Sequence, residues 1–453
     1  MDLSGKRILV VGLGESGRAA ARWLVTQGAN VTVSELKESS ELDGYVLGDL
    51  LGSGVRVECG GHKVGTFLES DLIVVSPGIP LDIDPLAAAR EKGLPIVGEI
   101  ELAGRHLKTP AIGVTGTNGK STVVKLIGTM LQKAGKGVFI GANFGPPLTE
   151  YIAGDQAADF VVLELSSFQL DTIETFSPLM ALILNVSPDH LDRYRDYESY
   201  ARSKERIFLN QRPGQILIVN DDDPWLRSVQ PKGGPQVFRY GIGEESGRNA
   251  FLQDGQITTS IRGQETARFS LERFVLPGDH NRLNLMAAIL ASQLIKVSPP
   301  DIQWAVDHFE GLPHRLELVD EIRGVAFYND SKATNIDAAI KSITSFSGPV
   351  ILIAGGRHKG SDYLPLIEAA SQNVRGAVFL GEAGGLLAEA STGRIPWQMA
   401  TDMPDAVALA FAKAQEGDVV LLAPACSSFD MFRNFEHRGL VFREAVERLK
   451  DGG

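Results

Sequence analysis

Short apolar runs recur along the chain, and nearly every one ends in a polar or glycine-rich turn. Ile8-Leu9-Val10-Val11, Val31-Thr32-Val33 and Leu72-Ile73-Val74-Val75 have the length and β-branched content of buried strands, with a helix through Ala19 to Val25 between the first two. The pattern resumes at Ala111 to Val114, Phe160 to Leu163, Ala181 to Val186 and Ile216 to Val219. It returns at Val325 to Tyr328, Val350 to Ala354, Ala377 to Leu380 and Val419 to Leu422. Between these, Val123, Val124, Ile127, Met130, Leu131 and Ala134 fall at one-face helical spacing, and Tyr197 to Leu209 and the stretch after Gly278 read as further helices. Strands alternating with helices predict doubly wound α/β units. From about 236 to 275 the alternation becomes two-residue, as in Ile257 to Ile261 and Ala267 to Leu271, and predicts antiparallel hairpins at a sheet margin. Boundaries near 105 and 311 give three α/β domains, 1–105, 106–311 and 312–453, the first and third Rossmann-like.

The turns carry the chemistry. Gly116-Thr117-Asn118-Gly119-Lys120-Ser121-Thr122 joins a strand to a helix and reads as a phosphate cradle, which makes the central domain P-loop ATPase-like. Glycines let the backbone wrap an anion, free N–H groups and the helix dipole face it, Lys120 reaches the β- and γ-phosphates, and the Ser121 hydroxyl suits Mg²⁺. The strict P-loop wants a glycine where this chain has Val114. Upstream, Gly12-Leu13-Gly14-Glu15-Ser16-Gly17 is a dinucleotide-type fingerprint, followed by the acidic Glu35 after the second strand. That pattern alone fits a nicotinamide or flavin site, another nucleotide, or bare packing glycines. A second turn, Ser76-Pro77-Gly78-Ile79-Pro80, also offers N–H groups to a diphosphate. Glu164 and His190 stand at neighbouring strand ends, where a metal-binding acid and a histidine ligand belong. The run Asn220-Asp221-Asp222-Asp223 reads as a solvated turn, and Asn281 and Asn284 as caps or adenine contacts. In the third domain, Asn329 to Asn335, Gly355 to Gly360 and Pro424 to Asp430 are polar turns at strand ends, where open α/β sheets bind ligands.

Composition narrows the classes. A formal charge of −12 argues against nucleic acid or an anionic membrane as the main partner. Cys59 and Cys426 are too few for a disulfide framework and lack metal-ligand spacing. No apolar run approaches roughly 18 residues, so a cytosolic protein is expected. A P-loop between two further ligand edges points to ATP-driven condensation of two other molecules. A nicotinamide oxidoreductase would leave the P-loop unexplained, and a P-loop switch would leave the third domain's lysine-bearing turns unexplained.

The loop Gly113 to Thr122 resembles that of the Mur ligases, the enzymes that add amino acids to the peptidoglycan precursor, and of the related folylpolyglutamate synthases. The resemblance extends over Glu164 in Leu-Glu-Leu-Ser-Ser-Phe-Gln-Leu, Asn185-Val186, Asp189 to Asp192, Lys204, His280-Asn281, His314-Arg315, Asp330 to Asn335 and Asn434-Phe435-Glu436. It accounts for Val114, because the Mur loop does not need the first glycine. The first domain is similar to that of the ligases that join D-glutamate to UDP-N-acetylmuramoyl-L-alanine. An Asp-Asn-Pro-Arg motif found in the diaminopimelate-adding ligases is missing at Gly355 to Gly360. Another Mur-type or folylpolyglutamate-type ligase is the alternative.

The resemblance implies a cytoplasmic, monomeric, ATP-dependent ligase that works through an acyl phosphate. In that scheme Gly116 to Thr122, Asn281, Asn284, Arg315 and Asp330 bind ATP, with Lys120 and Arg315 on the transferring phosphate. Ser121, Glu164, His190 and a carbamylated Lys204 hold two Mg²⁺. Gly14, Glu15, Ser16, Glu35, Ser76, Pro77, Gly78 and Asn143 bind the UDP-substrate, with Asn143 at its acyl end. Lys332, Thr334, Lys359, Ser428 and Phe435 surround D-glutamate. At the uracil position the family's Asp-Thr is replaced by Glu35-Leu36, which removes a hydroxyl donor.

Overall fold

The computed structural model describes residues 2–190, 193–231, 233–360 and 362–451. The chain forms two compact units, one of Met1–Val186, Arg193–Ser270 and Leu285–Val306, the other of Ser187–Asp192, Leu271–Asn284 and Asp307–Gly453.

Two sheets build the first unit. The N-terminal sheet has five parallel strands in the order Arg56–Glu58, Asn30–Ser34, Arg7–Val11, Leu72–Val75, Ile96–Gly98. The strand order reverses between Arg7–Val11 and Leu72–Val75, and the two glycine turns follow those two strands, at the switch point where such sheets bind ligands. The second sheet has nine strands. Ala111–Thr115 lies between Met180–Ile183 and Phe160–Glu164, so the phosphate loop emerges flanked by the ends of both neighbours. Every residue of Ala111–Thr115 and Leu72–Val75 is buried, which is why these segments read as unbroken apolar runs and not as alternating ones.

The margin only partly follows the two-residue pattern. Gln256–Thr259 and Ala267–Phe269 are antiparallel as expected, but Gln236–Gly241 and Ala250–Gln253 continue the parallel order. The aspartate run is not a solvated turn. Asp221 pairs with Arg239 and Arg248, Asp222 with Arg248, and Asp223 accepts the Val186 N–H and caps the helix Pro224–Arg227. The side chain of Arg248 is 1 % exposed, and a buried cation requires these carboxylates.

Two acids on the short helix Glu99–Gly104 tie the N-terminal sheet to the nine-stranded one. Glu101 accepts the backbone N–H groups of Glu174, Thr175 and Phe176 at 2.9–3.0 Å, together with the Thr175 hydroxyl and Arg105. Burial opposes its ionisation, but the Thr175, Arg105 and Phe176 bonds outweigh burial and hold the carboxyl at about 2. Glu99 accepts the Thr149 N–H and hydroxyl, and burial pushes its carboxyl up to about 7. One apolar core runs through both sheets, from Val10 and Leu24 to Leu163 and Ile183.

The second unit is built on a six-stranded sheet in the order Glu317–Ile322, Val325–Asn329, Val419–Leu422, Val350–Gly355, Val374–Leu380, Trp397–Met399. Only the first pairing is antiparallel. Val325–Asn329, Val419–Leu422 and Val350–Gly355 are consecutive neighbours, so the three polar turns that follow them share one edge.

Candidate active site

The phosphate loop is already shaped. Gly116 and Gly119 have φ of +153° and +87°, backbone that disfavours any side chain, and Gly119 starts the helix Lys120–Lys133 without a side-chain cap. Val114 lies inside the strand, fully buried, so the missing first glycine sits outside the cradle. Lys120 folds back to donate to the Gly116 and Thr117 carbonyl oxygens at 2.9 and 3.0 Å. Asn185, which carries no expected role, holds the loop like a paired peptide. Its Nδ2 donates to the Asn118 carbonyl, its Oδ1 accepts the Asn118 N–H, and its own carbonyl accepts the Thr117 N–H.

Ser121, Glu164 and Asn143 converge. The Ser121 hydroxyl and the Asn143 Nδ2 donate to different oxygens of the Glu164 carboxylate, the latter at 2.6 Å, and Glu164 is 3 % exposed. The Ser121 hydroxyl and the Glu164 carboxylate, beside a phosphate loop, are oxygen ligands of the kind magnesium prefers. Lys204 is 2 % exposed, donates to the Gly116 carbonyl at 3.0 Å and lies over the Tyr200 ring. Its neighbour Glu205 accepts the Trp225 indole N–H. His190 adopts φ +54°, its N–H donates to Asp189, and Asp189 accepts from Asn335. Among the described residues no three His, Cys, Asp or Glu side chains converge as a metal site.

In the N-terminal sheet, Gly12 has φ +91° and a Cβ on Gly17 would overlap the Gly12 carbonyl oxygen, so both glycines are required by packing. Gly14 and Gly78 face open space and leave room for a ligand. Gly14 is the N-cap of Glu15–Thr26 with no side-chain cap bond, so the first-turn N–H groups of Glu15 and Ser16 have no cap acceptor. Ser76 donates to the Gly12 carbonyl at 3.2 Å and joins the two turns. Glu35 does not project freely: its carboxylate accepts the Leu13 N–H at 2.7 Å and the Lys37 N–H at 3.1 Å. Leu36 beside it is 67 % exposed.

In the second unit, Asn281 and Asn284 are both buried, Asn281 donating to the Pro277 carbonyl and Asn284 to Asn281. Asp330 is buried, bonded to Ser342 and to the Leu316 N–H with Arg315 nearby, and burial pushes its carboxyl up to about 6. Lys332 lies 3.6 Å from the centre of the Phe435 ring, and Lys359 donates to the Thr334 carbonyl at 3.3 Å. Ser428 is buried. Arg438, unforeseen in the sequence, is 1 % exposed and donates to the Ser331 hydroxyl and carbonyl and to the Cys426 and Ser427 carbonyls. It thereby fixes the turns carrying Lys332, Thr334 and Ser428. Cys426 is a buried thiol pushed up to about 11 by burial, as expected of a packing cysteine.

Known proteins match this arrangement from end to end. Residues 114–292 match the Mur ligase middle domain, 6–98 the MurD-like N-terminal domain of Mur ligases, and 314–426 the Mur ligase glutamate ligase domain. The UDP-N-acetylmuramoylalanine--D-glutamate ligase of Desulfatibacillum aliphaticivorans is 42 % identical over 451 residues, 99 % of this chain and 100 % of the relative. The protein of the same name from Acidobacterium capsulatum is 44 % identical over 98 % of this chain and 97 % of its own. The chain belongs to the Mur ligase family. It is therefore an ATP-dependent, ADP-forming amide ligase with the three Mur domains. The solved UDP-N-acetylmuramate-alanine ligase of Thermotoga maritima shares this Mur ligase fold, with a TM-score of 0.60 at 19 % identity over 99 % of this chain and 100 % of that one. So does a folylpolyglutamate-type relative, the FolC of E. coli with ADP bound, with a TM-score of 0.57 at 20 % identity over 77 % of this chain and 92 % of that one.

Proposed function

We propose that this Mur ligase joins D-glutamate to UDP-N-acetylmuramoyl-L-alanine, converting ATP to ADP and phosphate, in the cytoplasm and as a monomer. The observation that carries the reading is the full-length match at 42–44 % identity to ligases of that name. The free turn N–H groups at Gly14 and the open face at Gly78 support a diphosphate ligand in the N-terminal sheet.

The substrate's terminal carboxylate takes the γ-phosphoryl group, giving an acyl phosphate and ADP. The D-glutamate amine then attacks the acyl carbon; its C–N bond forms, a proton leaves the nitrogen, and the C–O bond to phosphate breaks. Lys120 and Arg315 offset the charge on the transferring phosphate. Asn143 orients the acyl end, and Asn281, Asn284 and Asp330 face the nucleoside. Ser121, Glu164, His190 and Lys204 would hold Mg²⁺, which would supply charge neutralisation to the phosphate oxygens. Because an ammonium cannot ligate a cation, Lys204 takes this role as a carbamate. Lys332, Thr334, Lys359, Ser428 and Phe435 receive D-glutamate, and Glu35 shapes the nucleotide turn through the Leu13 N–H.

Mass spectrometry of a reaction containing UDP-N-acetylmuramoyl-L-alanine, ATP, Mg²⁺ and D-glutamate tests the reading. The expected result is a UDP-product heavier by one glutamyl residue. Recovery of unchanged UDP-substrate, with diaminopimelate or another amino acid consumed in its place, overturns it.

A further inference from the structure

Arg193 stands three residues beyond His190 and has no place in the chemistry above. Its guanidinium reaches 115 positions back along the chain, to the second phosphate turn. Nη1 donates to the Gly78 carbonyl and Nη2 to the Ile79 carbonyl, each at 3.2 Å. The Arg193 guanidinium carbon lies 4.6 Å from the centre of the Phe168 ring, and Phe168 stacks in parallel on Tyr194, centres 6.0 Å apart and planes 6° apart. Tyr194 is anchored in turn by its hydroxyl on Asp171 at 2.7 Å. A planar fork stacked on one ring and bonded to two successive carbonyls has little rotational freedom left, and lysine cannot reproduce that geometry.

The turn needs such a support. Ser76-Pro77-Gly78-Ile79-Pro80 has few donors of its own, because both prolines lack an N–H. Its internal bond runs from the Ile79 N–H to the Ser76 carbonyl, and its tie to the neighbouring turn is the Ser76 hydroxyl on Gly12. Arg193 takes the Gly78 and Ile79 carbonyls of the turn. With those carbonyls directed to the guanidinium, the Gly78–Ile79 and Ile79–Pro80 peptide planes are held, and with them the exit of the turn.

We infer that Arg193 is a positioning residue for the UDP-substrate: it clamps the Gly78 and Ile79 peptides of the Ser76–Pro80 turn at the switch point of the N-terminal sheet, and it sets the affinity for that substrate alone. The inference rests on the proposed function and goes beyond it by assigning a residue outside every expected ligand set.

The test is steady-state kinetics on the full chain for wild type, R193M, R193K and F168L, with UDP-N-acetylmuramoyl-L-alanine, ATP and D-glutamate varied in turn. Calorimetric titration with UDP-N-acetylmuramoyl-L-alanine and thermal melts accompany the kinetics. Two hydrogen bonds and one stacked cation at an exposed position correspond to about a tenfold rise in KM for the UDP-substrate in R193M. KM for ATP and for D-glutamate, kcat and the melting temperature should stay near wild type. R193K keeps the charge without the fork and should resemble R193M, while F168L should show a smaller rise in the same KM. The inference is overturned if R193M and R193K keep the wild-type KM for the UDP-substrate, or if all three KM values rise together with a lowered melting temperature. If wild type itself binds no UDP-substrate, the functional reading falls and takes the inference with it. Binding by wild type with an unchanged R193M overturns the inference alone.

Discussion

The buried Lys204 amine donates to the Gly116 carbonyl oxygen at 3.0 Å, so the helix Tyr197–Glu205 and the glycine loop are joined. An amine there, 2 % exposed, can accept CO₂ only in its uncharged form, and the product carries the anionic oxygens magnesium prefers. Lys204→Ala should therefore lose most activity while keeping its fold by circular dichroism, and small carboxylic acids should partly restore the rate. Lys204→Arg should not, because it keeps a positive charge and brings no oxygen. Near-normal kcat in the Arg variant would remove the carbamate from the account.

Gly17→Ala probes the first nucleotide turn. The added methyl group would overlap the Gly12 carbonyl oxygen and approach Ser76 Oγ to 2.8 Å, so the turn must open. Overpacking of this kind costs about 1–3 kcal/mol. Lower thermal stability and at least a tenfold loss of UDP-substrate affinity by titration calorimetry are expected, with ATP binding retained. Unchanged UDP-substrate binding would show that the Gly12–Gly17 turn does not carry the diphosphate.

Glu99 gives a pH dependence with a definite sign. Burial raises its folded pKa to about 7 from an ordinary 4.5, so the folded state binds its proton more tightly than the unfolded chain does. Its contribution is most favourable below about pH 4.5 and is lost as pH rises towards 7. Glu99→Gln keeps an acceptor for Thr149 without the charge, and should be more stable than wild type at pH 8 by about 3 kcal/mol, with the difference vanishing near pH 4. Urea unfolding at the two pH values measures this. An equal difference at both would mean that Glu99 does not titrate in this range.

What could be read in the sequence was what short segments dictate. The phosphate loop, the glycine fingerprint and the buried strands each depend on residues within about a dozen positions, and Gly119, Lys120 and Ser121 sit at a helix start as their order requires. The misreadings came from long-range partners. Asp221 to Asp223 looked solvated because Arg239 and Arg248 lie 18 to 27 residues away. Asn185 meets the phosphate loop across 67 residues, Arg438 meets Ser331 across 107, and Arg193 meets Gly78 across 115. No local periodicity marks such residues. Glu35 was legible as the acid after the second strand, but its bond to the Leu13 N–H, not a free carboxylate, emerges only once the sheet brings the two turns together.

The most direct test of the central claim is ADP release by the full chain with Mg²⁺, measured with the complete mixture, with each substrate omitted, and with L-glutamate in place of D-glutamate. Inverting the α-carbon leaves at least one buried polar group in the amino-acid site without its partner, a mismatch that costs several orders of magnitude in kcat/KM when a site is built on fixed hydrogen bonds. The account predicts sustained ADP release, matched one to one by glutamyl product, only when UDP-N-acetylmuramoyl-L-alanine and D-glutamate are both present. Equal rates with L-glutamate, or ADP release that continues with the UDP-substrate left out, would contradict it.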